Sequence, residues 1–209
     1  AVERAHLQPP APLPPPSVFP PWPPGVDLAV QAYRAAPAMV ADTVVAEQRS
    51  SFPYGKGGFD GGEAAGLAHL ACYLARKLPD TYKHTRNGLS GVDYSSKWSP
   101  WLASGALSAR RIFAELRQFE AAHGASAGSY WLWFELLWRD YFRFLHLQYG
   151  KALYRGRGLG QSPVAAHNAH GFERWSQARS GEALVDAAMR ELSASGYLSN
   201  RLRQVVASY

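Results

Sequence analysis

Residues 129–149 limit the folds open to this chain more than any other segment does. Apolar side chains lie almost all round this helix-patterned stretch. They are Trp131, Leu132, Trp133, Phe134, Leu136, Leu137, Trp138, Tyr141, Phe142, Phe144, Leu145 and Leu147. A helix that is apolar on every side lies inside a structure rather than on its surface. The rest of the chain must therefore fold around it.

The remaining segments also favour helices. Helical patterns run over 62–77, 109–122, 128–149, 183–195 and 199–209, with a short helix near 100–104. Ser108 and Ser199 stand where N-caps belong, and Gly124, Gly150 and Gly196 stand where helices end. No segment shows sustained two-residue alternation, so the sequence predicts an all-α fold without a sheet.

The distribution of proline divides the chain into two parts. Ten of the fifteen prolines lie in residues 1–24, and such a tract favours an extended linker, with a proline-rich ligand as the alternative. We expect an irregular linker remnant over 1–50 and a partial helical domain over 51–209. Because the last helical pattern is still running at Tyr209, we expect this domain to be truncated at its C-terminal side.

Composition excludes several classes of protein. Cys72 is the only cysteine, which excludes a disulfide within the chain and a cysteine-based zinc site. The histidines show no clear metal spacing, so we predict no metal site. No apolar run approaches the roughly 18 residues of a membrane span, so we expect no membrane partner. Walker, Rossmann and hydrolase motifs are absent. The net charge of +6 permits a polyanionic partner without requiring one.

The loop 94–102 combines hydroxyls with a cation at a predicted helix start. Ser95, Ser96, Lys97 and Ser99 lie within five residues, and Pro100 suits the first helical position after Ser99 as N-cap. Helix starts of this composition attract anions, phosphate above all. The alternative is that these residues only cap the helix.

The predicted helix 128–149 carries charges that need a partner or a ligand. Glu135 and Arg139 are spaced to pair along one face, while Glu135 and Trp138 share a surface one turn apart. A carboxylate beside an indole could hold a flat heterocycle, by accepting its N–H while the ring stacks. A core helix with an internal salt bridge explains the same residues.

Two further segments are rich in cations. Arg86 and Lys83 lie in 82–87 and could contact a phosphate backbone, although a solvated charged face is the simpler interpretation. In 197–203, Asn200 and Arg203 share a helix face and Arg201 points elsewhere, which suggests two anionic partners. The alternative is one surface arginine and one structural salt bridge. Trp175 has polar neighbours, so we expect it near the surface.

Five segments carry a resemblance to a known family. They read Tyr-Lys-x-Thr-Arg-Asn-Gly-Leu (82–89), Asp-Tyr-Ser-Ser-Lys-Trp-Ser-Pro-Trp-Leu-Ala (93–103), Tyr-Trp-x-x-Phe-Glu-Leu-Leu-Trp-Arg-Asp-Tyr-Phe-Arg-Phe (130–144), Leu-Val-Asp-Ala-x-Met-Arg-Glu-Leu (184–192) and Ser-Asn-Arg-x-Arg-Gln-x-Val-Ala-Ser (199–208). In this order they resemble the FAD-binding domain of the photolyase/cryptochrome family, and especially its cryptochrome-DASH branch. The likeness covers about 51–209.

The resemblance implies an all-α cup that binds FAD in a U-shaped form. The residues it places against the FAD phosphates are Tyr82, Ser95, Ser96, Lys97 and Ser99. It also implies that Arg139 lies beside the flavin or its phosphates, that Asn200 faces the flavin cavity, and that Arg203 pairs with a flavin-side aspartate.

The same resemblance implies roles toward DNA. Glu135 and Trp138 would line the pocket for a flipped-out cyclobutane pyrimidine dimer. Arg86 and Arg201 would contact DNA phosphates, and Trp175 would be the outermost tryptophan of an electron-transfer chain.

The implied activity is that of a deoxyribodipyrimidine photo-lyase within a longer protein. Blue light would drive electron transfer from reduced FAD to the dimer, and we expect single-stranded DNA as the substrate. Two alternatives stay open: a cryptochrome-type photoreceptor without repair, and an inactive fragment. We expect a folate antenna only in an N-terminal domain that this sequence lacks. We also expect a monomer in an intracellular compartment, with a plastid or mitochondrion left open.

Overall fold

The computed structural model describes residues 9–18, 21, 24–25, 50–52, 59–161 and 166–209. All regular structure in these residues is helical, which confirms the predicted all-α class. Residues 9–18 contain neither helix nor strand, as a proline-rich segment should. Most of the predicted linker lies outside the described residues, and a domain boundary at residue 50 stays a prediction.

Eight α-helices and two short 3-10 helices make up the described fold. The α-helices are α1 (Glu63–Ala75), α2 (Leu78–Thr85), α3 (Ser99–Ser104), α4 (Ala109–His123), α5 (Ala127–Tyr149), α6 (Ala169–Ser176), α7 (Ala183–Ser195) and α8 (Asn200–Ser208). The 3-10 helices are Val92–Tyr94 and Gly150–Tyr154. The sequence patterns predicted every α-helix except α2 and α6.

Most helix ends follow the predicted signals, although Ser108 precedes α4 without a side-chain cap hydrogen bond. Gly124, Gly150 and Gly196 each directly follow a helix, as predicted. The Ser199 hydroxyl accepts a hydrogen bond from the Leu202 N–H at 3.2 Å, which confirms this N-cap. The predicted N-cap Ser99 is wrong, because Ser99 is already the first residue of α3 and Trp98 precedes it without a side-chain cap.

A backbone reversal at Lys77 separates α2 from α1. Lys77 has a φ of 55°, in the left-handed region that ends helices. Pro79 then sits in the first turn of α2, where its missing N–H costs nothing. The predicted helix 62–77 is thus α1 plus a turn. The second helix, α2, packs along α5, and this pair is packed more extensively than any other two elements in the described residues.

Two apolar clusters hold the helices together. The first is formed by Phe52, Leu70, Tyr73, Tyr82, Trp98, Trp101, Leu107, Ile112, Leu116 and Leu132. The second is formed by Ala178, Val185, Ala188, Met189, Leu198, Leu202 and Val206 on α7, α8 and the turns before them. Tyr197 packs against the first cluster and stacks on Phe52 at 5.3 Å between ring centroids, so the last helical pair is tied to the first cluster.

The prediction that α5 is buried along its whole length is wrong. Leu132 is buried near its N-terminus, whereas exposure reaches 66% at Phe144 and 69% at Leu147. At 1.5 Å per residue α5 is about 35 Å long and its partner α2 only about 12 Å, so α2 cannot cover it. The second half of α5 is therefore an exposed aromatic surface within the described part of the chain.

Candidate functional site

A cavity of about 80 Å³ lies where the loop 88–97 meets α2, α5 and the start of α8. Six of the predicted site residues line it together: Tyr82, Arg86, Ser95, Lys97, Glu135 and Asn200. They come from four separate stretches of the chain. The fold therefore brings the hydroxyl-rich loop and the glutamate of α5 to one cavity.

Lys97 is the most unusual residue at this cavity. Its side chain is 3% exposed, and its ammonium makes no hydrogen bond or ion pair with any described residue. Burial is the main reason that the pKa of this ammonium falls to about 8. The Glu191 carboxylate attracts this cation but forms no ion pair with it, so a ligand in the cavity could supply a closer counter-charge. Lys97 is therefore well suited to bind an anion that enters the cavity.

The loop that carries Lys97 is fixed at several points. The Ser51 hydroxyl accepts a hydrogen bond from the Gly91 N–H at 2.9 Å, and the His69 ring contacts the Ser96 carbonyl at 2.9 Å. Gly91 has a φ of 139°, which other residues rarely adopt. Lys97 itself has a φ of 60°, an uncommon conformation for a lysine that the surrounding contacts must impose.

Tyr197 and Glu191 lie near Lys97, and the sequence assigned a role to neither of them. The Lys97 ammonium lies 5.3 Å from the centre of the Tyr197 ring, and the Arg203 guanidinium lies 5.5 Å from the same ring. Burial raises the pKa of the Glu191 carboxyl, and one of its oxygens is buried without a hydrogen bond. Both residues fall in or next to motifs quoted above, but only the folded chain shows that they surround Lys97.

Arg86 and Glu135 form an ion pair across α2 and α5. The distance from Arg86 Nη2 to Glu135 Oε1 is 2.6 Å, and the Arg86 guanidinium also lies 4.3 Å from the centre of the Trp131 ring. The predicted pairing of Glu135 with Arg139 is not formed, because Arg139 contacts Asp140 at 3.3 Å instead. Because α2 packs on α5, the cation beside Glu135 comes from a different part of the chain. Residue spacing within one helix cannot predict such a partner.

This ion pair should be stronger than a surface pair of the same chemistry. Its side chains are 23% and 35% exposed, against 52% and 26% for Arg111 and Glu115 on α4. In double-mutant cycles with glutamine we expect a coupling free energy of about 1–2 kcal/mol for Arg86 with Glu135 and below about 0.5 kcal/mol for the α4 pair. Urea unfolding measures both, and equal coupling energies would contradict the described packing.

The three predicted site residues at the start of α8 have different surroundings. Asn200 lines the small cavity, whereas Arg203 donates its Nε–H to the Leu198 carbonyl at 2.9 Å and lines another cavity. Arg201 donates to the Asn87 side-chain oxygen at 2.7 Å, so it lies close to the segment that carries Arg86. Neither arginine of α8 has an ion pair with a described residue, which disfavours the structural salt bridge considered above.

Five predicted site residues lie outside the small cavity and outside α8, and Trp175 is one of them. Trp138 is 42% exposed and stacks on Phe142 at 5.7 Å rather than facing the cavity with Glu135. Ser99 is exposed. Ser96 does not line the cavity, and its carbonyl contacts the His69 ring. Arg139 lines a groove between α4 and α5.

Trp175 is half-buried in the structure. Its indole N–H donates to the Val206 carbonyl at 2.9 Å, and its ring lies 5.4 Å from that of Phe172. It lines a cavity of about 1050 Å³ together with Arg203 and Tyr197. Tyr197 therefore borders this large cavity and also lies beside the Lys97 ammonium.

The residues at the small cavity fit a phosphate group better than a whole cofactor. A drug-sized ligand needs about 300 Å³ or more, so 80 Å³ admits a single phosphoryl group. Lys97 offers a buried positive charge, and the hydroxyls of Ser95 and Tyr82 offer donors. Burial raises the pKa of the Tyr82 phenol above its usual range, which keeps it a neutral donor. These residues fit the phosphate portion of a dinucleotide.

Comparison with known proteins points to one family. Residues 131–209 match the family described as the FAD binding domain of DNA photolyase. The chain is 46% identical over 151 residues to the cryptochrome DASH of Vibrio parahaemolyticus, covering 72% of this chain and 34% of that protein. It is 49% identical over 154 residues to the cryptochrome DASH of Synechocystis, covering 72% of this chain and 31% of that protein.

The three-dimensional comparison agrees. A crystal structure of the Synechocystis cryptochrome superposes with a TM-score of 0.76 at 43% identity, over 83% of this chain and 35% of that one. The chain therefore spans about a third of the length of the curated relatives it matches. No helix in the described ranges is long and apolar enough to cross a membrane.

Proposed function

This chain belongs to the photolyase/cryptochrome family, in its DASH branch, and we propose that it forms the phosphate-binding wall of an FAD site in a blue-light-dependent enzyme. The observation that supports this most strongly is the buried Lys97 ammonium, which opens with Ser95 and Asn200 onto a cavity of phosphate size. The DASH relatives are 46–49% identical to this chain over 151–154 residues.

In this proposal each residue at the cavity has a definite task toward the cofactor. Lys97 neutralises a phosphate charge, while Ser95 and Tyr82 donate hydrogen bonds to its oxygens. Tyr197 holds Lys97 from the side, since its ring lies 5.3 Å from the ammonium. Ser96 and Ser99 lie outside the small cavity, and their hydroxyls are proposed to bind phosphate oxygens beyond it, while Asn200 faces the flavin. Arg139 and Arg203 contact the cofactor outside the small cavity.

The substrate we propose is a cyclobutane pyrimidine dimer in single-stranded DNA. When bound, reduced FAD would supply a light-driven electron that opens the dimer, and the electron would return to the flavin after the ring opens. Glu135 accepts hydrogen bonds from a flipped-out base, and Trp138 stacks against it. Arg86 and Arg201 approach DNA phosphates from the same side, because Arg201 is hydrogen-bonded to Asn87, the neighbour of Arg86. Trp175 would serve as the outermost tryptophan of an electron-transfer chain to the flavin.

One observation favours a second candidate, a cryptochrome-type photoreceptor that binds flavin without repair. Trp138 faces away from the cavity of Glu135, and Glu135 is already paired with Arg86. A base could reach Glu135 only if Arg86 moved or shared the carboxylate. Both candidate functions use the same flavin-binding residues, so flavin binding cannot distinguish them. An assay of dimer repair can.

The test has two parts, and the first uses the chain as it is. We expect the purified chain to bind FAD with micromolar affinity and quench its fluorescence, while riboflavin, which lacks the phosphates, does not compete. Equal binding of FAD and riboflavin would contradict a phosphate site. Binding of neither compound would contradict the proposal for the isolated chain.

The second part tests activity in a complete protein. The chain replaces the aligned third of the Synechocystis relative, and the chimera is reduced, illuminated with blue light and given single-stranded DNA with a thymine dimer. We expect repair at a rate similar to that of the parent protein. A chimera that binds FAD but leaves the dimer intact would instead support the photoreceptor. The folate antenna, the monomeric state and the compartment stay predictions.

A further inference from the structure

Glu191 on α7 is a partly buried ionisable residue that the flavin proposal does not use. One of its carboxyl oxygens is buried without a hydrogen bond. The backbone N–H of Ser51 donates a hydrogen bond to the same carboxyl group. Burial raises the pKa of this carboxyl, while the Ser51 hydrogen bond and the nearby charge of Lys97 lower it. Glu191 therefore contacts the segment 50–52 and also acts on the charge of Lys97.

We infer that Glu191 is a positioning residue for the phosphate site, which anchors the segment 50–52 through Ser51 and keeps the Lys97 ammonium charged in the ligand-free chain. This role rests on the proposed function, since both concern the same phosphate group. Glu191 does not line the small cavity. It acts through Ser51 and Lys97 rather than by touching the cofactor.

The hydrogen bond to Ser51 connects α7 with the phosphate-binding loop. Ser51 is 1% exposed, and its hydroxyl accepts a hydrogen bond from the N–H of Gly91, which lines the small cavity. The next residue, Phe52, is buried and stacks on Tyr197, whose ring lies beside the Lys97 ammonium. The carboxyl group of Glu191 thus holds a segment that supports the loop on one side and Tyr197 on the other.

The charge of Glu191 counteracts the burial of Lys97. Burial lowers the pKa of Lys97 to about 8, and the strongest effect in the opposite direction comes from Glu191. Asp93, in the first 3-10 helix, acts in the same direction as Glu191, whereas Arg203 on α8 lowers the pKa of Lys97 further. Burial raises the pKa of the Tyr197 phenol, so this ring carries no charge at neutral pH. Without the Glu191 charge, Lys97 would lose its proton at a lower pH.

An NMR titration of the ligand-free chain tests the effect of this charge. Carbon-13 labels in the lysine side chains report protonation, and the signal that disappears in Lys97→Met is that of Lys97. Glu191→Gln removes the charge but keeps an acceptor for Ser51, and we expect it to lower the titration midpoint of Lys97 by at least about 0.5 pH unit. The matched control is Glu182→Gln, an exposed glutamate directly before α7, which should move the midpoint by less than about 0.2 pH unit.

Amide hydrogen exchange tests the anchor. Glu191→Ala removes the acceptor, so the Ser51 amide should exchange at least about 10-fold faster than in the wild type. Glu191→Gln keeps an acceptor and should stay within about 3-fold of the wild type. The amide of Leu116, in the core of α4, is the reference, because a general loss of stability would accelerate its exchange as well.

The pH profile of FAD binding separates this role from the proposed function. Affinity of the wild type should fall as Lys97 loses its proton, and Glu191→Gln should move this fall to lower pH by the same amount as the NMR midpoint. A wild-type chain that does not bind FAD contradicts the proposed function, while the two measurements on the ligand-free chain still decide the role of Glu191. That role is overturned if Glu191→Gln leaves the Lys97 midpoint unchanged, or if Glu191→Ala accelerates the Ser51 amide no more than the reference.

Discussion

Replacing Lys97 by methionine is expected to weaken FAD binding about 100-fold and to stabilise the ligand-free chain. The variant keeps the length and apolar stem of the side chain but removes its buried charge. Truncating one partner of a buried charge pair costs about 2–5 kcal/mol, and 2.7 kcal/mol corresponds to a factor of about 100. Titration of flavin fluorescence at pH 7 measures the loss.

The matched control is Lys83→Met, since Lys83 is an exposed lysine on α2. It changes the net charge by the same amount, so it accounts for long-range attraction of the cofactor. We expect its affinity for FAD to stay within about two-fold of the wild type. If both variants lose affinity equally, Lys97 has no specific role at the phosphate.

The pH dependence follows from the lowered pKa of Lys97. Its pKa is about 8 in the folded chain against the ordinary value of 10.5, so between these values the unfolded chain binds more protons. The free energy of unfolding contributed by this group therefore rises as pH increases from about 8 toward 10.5. At pH 7 the full penalty is present, and Lys97→Met should stabilise the ligand-free chain by up to about 3 kcal/mol.

Urea unfolding of wild type and Lys97→Met at pH 7 and pH 9.5 isolates this contribution. We expect the difference between the two proteins to shrink at pH 9.5, because the wild-type lysine is then mostly neutral when folded. FAD affinity of the wild type should fall over the same range, since the empty site no longer carries a full charge. A stability difference that does not change with pH would contradict a buried cation.

The sequence predicted the chemistry of the cavity better than its geometry. A serine-rich loop with one lysine indicates an anion site from composition alone. Nothing in the spacing shows that Lys97 is buried in a left-handed conformation, because that depends on Ser51 and Tyr197, which are distant in sequence. The same holds for Arg86 and Glu135: the rule for pairs within a helix pointed to Arg139, while the observed partner belongs to α2.

The helices that the patterns missed are short ones whose stability depends on packing. α2 and α6 have eight residues each, too few for a reliable apolar period and too few to be stable alone. α2 forms because it packs along α5. The opposite error concerns α5, whose apolar residues at 138–149 suggested a buried helix. Periodicity shows which residues are apolar, but the length of the neighbouring helices decides how many of them are covered.

Gly128→Ala is expected to destabilise the chain by about 1–2 kcal/mol and to disturb the cavity at the same time. A Cβ on Gly128 would lie 1.9 Å from the carbonyl oxygen of Pro79, in the first turn of α2. A backbone atom cannot rotate away, so α2 must shift on α5, and overpacking of this kind costs about 1–3 kcal/mol or more. Alanine in a helix gains about 1 kcal/mol over glycine, so the clash is partly offset.

The shift should reach the site, because α2 carries Tyr82 near its end and leads directly into Arg86. We expect the Gly128→Ala chain to lose most of the coupling between Arg86 and Glu135 and to bind FAD at least about 10-fold more weakly even where it is folded. Gly61→Ala is the matched control, since a Cβ there meets nothing within 4 Å and its effect on urea unfolding should stay within about 0.5 kcal/mol. If Gly128→Ala proves as stable as the control, α2 does not pack on α5 through this glycine. Contacts other than the one at Gly128 would then have to position Arg86 beside Glu135.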